Sequence, residues 1–100
     1  MQYNKLVRDK IPEILIQEGL SPKTHLASEA EYWWKLKDKL KEEVEEFLKD
    51  SNEEELADIL EVIDAICIYK NINKQNLEAI KKQKAEQKGS FNNKIILEEA

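Results

Sequence analysis

Glu43 and Glu46 stand three residues apart, and Glu55 and Asp58 repeat that spacing farther along the chain. On a helix, side chains three apart share a face, so each pair presents two carboxylates side by side. Ser51-Asn52 interrupts the sequence between them. If the chain reverses at that break between two helices, residues at equal height have numbers summing to about 103. Glu46 is then level with residue 57, Glu55 and Asp58 straddle that level, and four carboxylates converge. Like charges about 4 Å apart repel by about 4 kcal/mol at an effective dielectric of about 20, and a bound cation removes that cost. An all-oxygen donor set suits Mg²⁺, or Mn²⁺, better than Zn²⁺. The single histidine, His25, falls in an expected loop, so zinc has no good set of ligands. The alternative is a solvated acidic face, a common feature in a chain with 21 acids. Glu61 and Asp64 share the spacing but lie farther from the break, where Glu61 could support the site or serve a second ion.

The elements that must position these groups are helical. Ile11, Ile14 and Leu15 make a short apolar stripe in a first helix starting near Arg8 or Ile11, with Pro12 tolerated in its first turn and Gly19 closing it. After a loop with Ser21-Pro22 as its turn, Ser28 precedes Glu31 by three residues, a capping box that opens a long helix ending near Asp50. Trp33, Leu36, Leu40, Val44 and Phe47 fall on one side of that helix at 100° per residue, which predicts a core-facing stripe. Asn52 with Glu54 or Glu55 caps a third helix to about residue 70, whose expected apolar face is Leu56, Ile59, Leu60, Ile63, Ile66 and Cys67. The two-residue break predicts that helices two and three form an antiparallel hairpin. Asn73 caps a fourth, weakly apolar helix (Leu77, Ile80, Ala85) ended by Gly89, and Ile95-Ile96-Leu97 predicts a short extended tail.

The composition agrees with one all-α domain over residues 1–100: 41% of the residues are apolar, 37% are charged, and there are only two Gly and two Pro. The net charge of −5 argues against binding a nucleic-acid polymer, and no apolar run approaches the length of a membrane span. The charged Met1–Lys10 segment has no secretory apolar core, and a lone Cys67 fits a cytoplasmic location. Cys67 itself is expected to be a small buried hydrophobe. Charge is unevenly spread. Residues 42–64 carry eleven acids against Lys49 alone, and the rest of the chain has fifteen Lys or Arg against ten acids.

The acidic pattern resembles the all-α nucleoside triphosphate pyrophosphatases, the superfamily of MazG, dimeric dUTPases and phosphoribosyl-ATP pyrophosphohydrolase. Their signature of Glu-Glu-x-x-Glu followed by Glu-x-x-Asp reads here as Glu42-Glu43-Val44-Glu45-Glu46 and Glu55-Leu56-Ala57-Asp58. The second half, ELADIL, is similar to the ELGDLL of MazG. The block YNKLVRDKIPEI from Tyr3 to Ile14 and the tail KGSFNNKIIL from Lys88 to Leu97 resemble a MazG-like subgroup named after phosphoribosyl-ATP pyrophosphohydrolase. One departure is the interval of eight residues between Glu46 and Glu55, shorter than is usual in MazG proteins, which leaves the ligand assignment on the third helix open.

The resemblance implies a MazG-like four-helix bundle and hydrolysis of a nucleoside triphosphate between its α and β phosphates, giving a monophosphate and pyrophosphate. It implies Mg²⁺ on Glu43, Glu46, Glu55 and Asp58, with Glu42 or Glu43 as the base for water. Histidine biosynthesis does not follow from the subgroup's name. Phosphate needs cationic donors, and Lys5, Arg8 and Lys10 cluster in the N-terminal block. Arg8 is the only arginine, and a guanidinium grips phosphate bidentately; a surface pair with Asp9 or Glu13 is the alternative. Lys84, Lys88 and Lys94 are further candidate donors, and Phe91 either closes the site or anchors the tail. Trp33 is expected in the core, with Trp34 on the flank against a base or a second subunit. Four modest helices bury limited apolar surface, so a homodimer or higher homo-oligomer is expected. A different class also fits: a helical interaction module without catalysis, or a family member that binds nucleotide without turnover.

Overall fold

The computed structural model describes residues 4–100, so Met1, Gln2 and Tyr3, the last at the head of the N-terminal motif, lie outside the described residues. Four helices follow in order: α1 Ile11–Gln17, α2 Glu29–Asp50, α3 Glu53–Lys70 and α4 Lys74–Lys88, with no strand among the described residues. None of these helices is long and apolar enough to cross a membrane.

Local chemistry sets the boundaries. Ser28 Oγ accepts from Glu31 N at 3.3 Å, Asn52 Oδ1 from Glu55 N at 3.0 Å, and Asn73 Oδ1 from Gln75 N at 2.8 Å. Each bond satisfies a backbone donor that the first turn of a helix otherwise leaves unpaired. α1 has no side-chain cap and begins on Pro12 geometry instead; it ends where Gly19 takes φ 84. α2 ends on Ser51 at φ 55, ψ 37, and Asn52 immediately starts α3. A single left-handed residue therefore turns one helix into the next.

Only α2 and α3 pack extensively against each other. Trp33 of early α2 stacks on Tyr69 of late α3 with ring centroids 5.2 Å apart, whereas Glu43 of later α2 meets Glu55 and Asp58 of early α3. The seam between them is narrow. Leu36 is the one fully buried large side chain among the described residues; Val62 and Cys67 are the other buried apolar ones.

The α2 stripe is rotated from the sequence expectation. Its centre runs along Leu36 and Glu43, seven residues apart, and Val44 is turned out to the flank. Val44 lies about 80° from the centre of that line on one side, Glu46 as far on the other. Trp33 is half-buried on its Tyr69 neighbour and not in the core, and Trp34 is exposed as expected. On α3 the inward line passes through Val62, and Leu56 and Leu60 are exposed. α4 does not close a bundle around α2 and α3: Leu77 and Ile80 remain exposed, and residues 89–100 continue from it without helix.

Substitutions at the α2–α3 junction should act in opposite directions. Asn52→Ala removes a cap and should lower the unfolding free energy by about 1 kcal/mol. Ser51→Gly relieves a left-handed non-glycine residue and should leave it equal or higher by up to about 1 kcal/mol. Urea unfolding followed by circular dichroism measures both.

Candidate metal centre

Glu43 is the one buried charged residue among the described ones, 9% exposed at the centre of the α2 seam. It shares that line with Leu36 above it and Asp50 below, at heptad spacing. Lys39, one turn earlier, brings Nζ to 3.4 Å from Glu43 Oε1 and 3.5 Å from Glu42, so the buried carboxylate has a cationic neighbour.

Across the seam, Glu43, Glu55 and Asp58 each offer a carboxylate oxygen within 4.8 Å of the others. A second group adjoins it, made of Glu46, Asp50 and Glu55 at the same spacing. Glu55 belongs to both. The four expected ligands are thus divided between two adjoining groups, because Glu43 and Glu46 sit one turn apart and only Glu43 points into the seam. Asp50 escaped the sequence reading, which followed three-residue spacings; Asp50 stands four residues from Glu46 and seven from Glu43.

The electrostatics follow from this crowding. Partial burial raises the Glu55 carboxyl above its ordinary 4.5, and the charges of Asp50, Glu46, Asp58 and Glu43 push it in the same direction. Asp64, by contrast, is committed to Lys74 at 2.9 Å, and that hydrogen bond is the main reason the Lys74 ammonium is held above its ordinary value. Neither Glu61 nor Asp64 belongs to either carboxylate group.

The N-terminal segment lies against acidic residues of α2 and α3. Arg8 Nη2 donates to Asp58 Oδ1 at 2.6 Å, Lys5 Nζ to Glu42 Oε1 at 3.2 Å, and Lys35 Nζ to the Asn4 carbonyl at 2.6 Å. Arg8 therefore pairs with a carboxylate fifty positions away and not with neighbouring Asp9 or Glu13. Lys10 is exposed at the N-cap of α1.

The remaining expected substrate contacts are not brought to this place. Trp34 is exposed near the start of α2, where Lys37 Nζ lies 5.1 Å from its ring centroid. Lys88 and Phe91 lie at the end of α4 and just beyond it, and Phe91 is 96% exposed. The chain bends there, with Lys94 N donating to the Phe91 carbonyl at 3.3 Å. Among the described residues no hydrogen bond or ion pair joins Lys88 or Phe91 to the carboxylate groups.

The donor chemistry fits a hard divalent cation: oxygen atoms only, no histidine or cysteine in either group, and one carboxyl that resists ionisation while no cation is bound. Comparisons with protein-family models, with curated proteins and with solved structures return no match for this chain.

Because the folded chain holds a proton on Glu55 more tightly than the unfolded chain does, Glu55 contributes stability below about pH 4.5 that is lost as pH rises through its raised value. Glu55→Gln imitates the protonated group. In metal-free buffer its melting temperature should exceed that of the parent by a margin that widens from pH 4.5 to pH 7. A margin that does not change with pH would mean that Glu55 is relaxed in solution.

Proposed function

We propose that the chain is a MazG-like, Mg²⁺-dependent nucleoside triphosphate pyrophosphohydrolase. The supporting observation is the meeting of Glu43, Glu55 and Asp58 across two helices with Arg8 drawn onto Asp58, so that an anionic cation-binding cluster and a guanidinium stand side by side. In this reading α2 and α3 form the antiparallel hairpin of that superfamily, with Glu42-Glu43-x-x-Glu46 and Glu55-x-x-Asp58 as its two motif halves.

Glu43, Glu55 and Asp58 would hold the cation, and Glu46 with Asp50 would extend the site through the shared Glu55. Mg²⁺, or Mn²⁺ on the same donors, supplies neutralisation of phosphate oxygens and acidification of the attacking water. Glu42 stands next to Glu43 in sequence but outside both groups, half-exposed between Lys5 and Lys39, and is our choice for the general base. It would accept a proton from water as the oxygen attacks the α-phosphorus and pyrophosphate leaves.

Arg8 has a part on each side of substrate entry. Its half-exposed guanidinium offsets Asp58 in the free protein, and its remaining N–H donors suit a phosphate oxygen once the triphosphate is present. Lys5, on Glu42, lies on the same side of the hairpin and adds positive charge there. Lys10 and Lys88 with Phe91 would serve only as outer contacts, and Trp34 as a stacking surface at the hairpin's far end.

Pyrophosphate release across a panel of ordinary and damaged NTPs and dNTPs, with and without Mg²⁺, tests this reading. Turnover of at least one substrate is expected, abolished by Glu43→Gln and by Asp58→Asn without loss of helical content. No pyrophosphate from any substrate, together with a melting temperature indifferent to Mg²⁺, would favour a helical interaction module. Nucleotide binding with no turnover would identify a binder.

Arg8 makes a separate prediction. Arg8→Ala should lower kcat/KM about tenfold or more, equivalent to about 1.4 kcal/mol of transition-state stabilisation, whereas Arg8→Lys should lower it less. Arg8→Ala should also tighten Mg²⁺ binding without nucleotide, because a competing cation leaves Asp58. Calorimetric titration with MgCl₂ measures that change, and weaker binding would contradict it.

A further inference from the structure

The isolated chain exposes far more surface than its mass warrants. A folded 11.7 kDa monomer presents about 5,900 Å² by the usual size scaling, whereas this chain presents 9412 Å². Its radius of gyration is 17.8 Å against about 13 Å for a compact chain of 100 residues. The surplus of about 3,500 Å² per chain is more than the about 1,000–2,500 Å² that each partner buries in an obligate interface, so there is surface enough for one.

Ile14, Ile16, Leu20 and Leu26 are exposed early in the chain, and two further apolar surfaces lie beyond them. One is the hairpin side opposite the N-terminal segment, where Val44, Leu48, Leu56 and Leu60 lie exposed. The other is the arm formed by α4 and residues 89–97. α2 is about 33 Å long at 1.5 Å per residue, yet the molecule extends 56 Å. The arm carries exposed Ile80 and Ile96 and packs against no other helix extensively.

Charge selects what covers the hairpin. Residues 42–64 hold eleven acids and one lysine, so laying one hairpin on another would set like charge against like. Residues 74–97 hold six lysines and two glutamates. The arm is both apolar and strongly basic, and unlike the N-terminal segment it is joined to the hairpin in its own chain only at its root, by the Lys74–Asp64 pair, among the ion pairs of the described residues.

We propose that two copies of the chain exchange arms: α4 and residues 89–97 of each copy pack along the exposed apolar side of the other copy's α2–α3 hairpin. The exchange buries apolar area from both surfaces and brings the lysines of the arm to acidic residues of the hairpin. It stands independently of any catalytic activity.

Two measurements on the full chain test it. Light scattering after gel filtration at micromolar concentration should give twice the 11.7 kDa chain mass, and Leu60→Asp on the hairpin or Ile80→Asp on the arm should each shift the chain to monomer. Because either variant could fail to fold, the parent sequence decides. ¹⁴N- and ¹⁵N-labelled chains are unfolded together, refolded and coupled with a zero-length carbodiimide. Mixed-isotope peptide pairs should join lysines of 81–94 to acids of 42–64. A monomeric mass overturns the proposal. So does a dimer whose pairs between those two regions are all of one isotope.

Discussion

Three carboxylates, Glu43, Glu55 and Asp58, are held within 4.8 Å of one another by two helices whose contact otherwise rests on a thin apolar seam. At that range like charges disfavour one another's ionisation. The chain tempers this with local cations: Lys39 beside Glu43, Arg8 on Asp58, and Lys5 on adjacent Glu42. The Glu55 carboxyl is raised, first by partial burial and then by the charges of Asp50, Glu46, Asp58 and Glu43.

The N-terminal segment follows from the same interaction. Residues 4–10 form no helix or strand, and their placement depends on side chains reaching α2 and α3 and on Lys35 holding the Asn4 carbonyl. Exposed ion pairs of this kind hold weakly one at a time, so the segment's position is set by several modest contacts acting together. Such a strap can change its carboxylate partners without unfolding anything else.

The sequence revealed whatever was decided within a few residues. Ser28, Asn52 and Asn73 announced three helix starts because a cap bonds only two or three positions ahead. The seam was less legible. Periodicity located an apolar stripe on α2, but the neighbour's position chose the line through Leu36 and Glu43, since a helix with apolar residues over a wide arc offers several registers. The two carboxylate motifs were visible; their division around Glu55 and the inclusion of Asp50 were not, because that depends on which side chains face inward. The Arg8–Asp58 pair spans fifty positions and left no local trace.

The two-residue junction at Ser51 and Asn52 makes the carboxylate geometry a matter of phase. Glu55 and Asp58 occupy the first turns after the junction, so their direction is set by the angle at which α3 starts, with little length in which bending could correct it. One inserted residue that lengthened α3 from its start would rotate both acids by about 100° away from Glu43. A residue added between α3 and α4, in contrast, lies downstream of every group in the cluster. The chain is thus intolerant of length change at one loop and permissive at another, and drift in loop length among descendants of this sequence should be confined to the second.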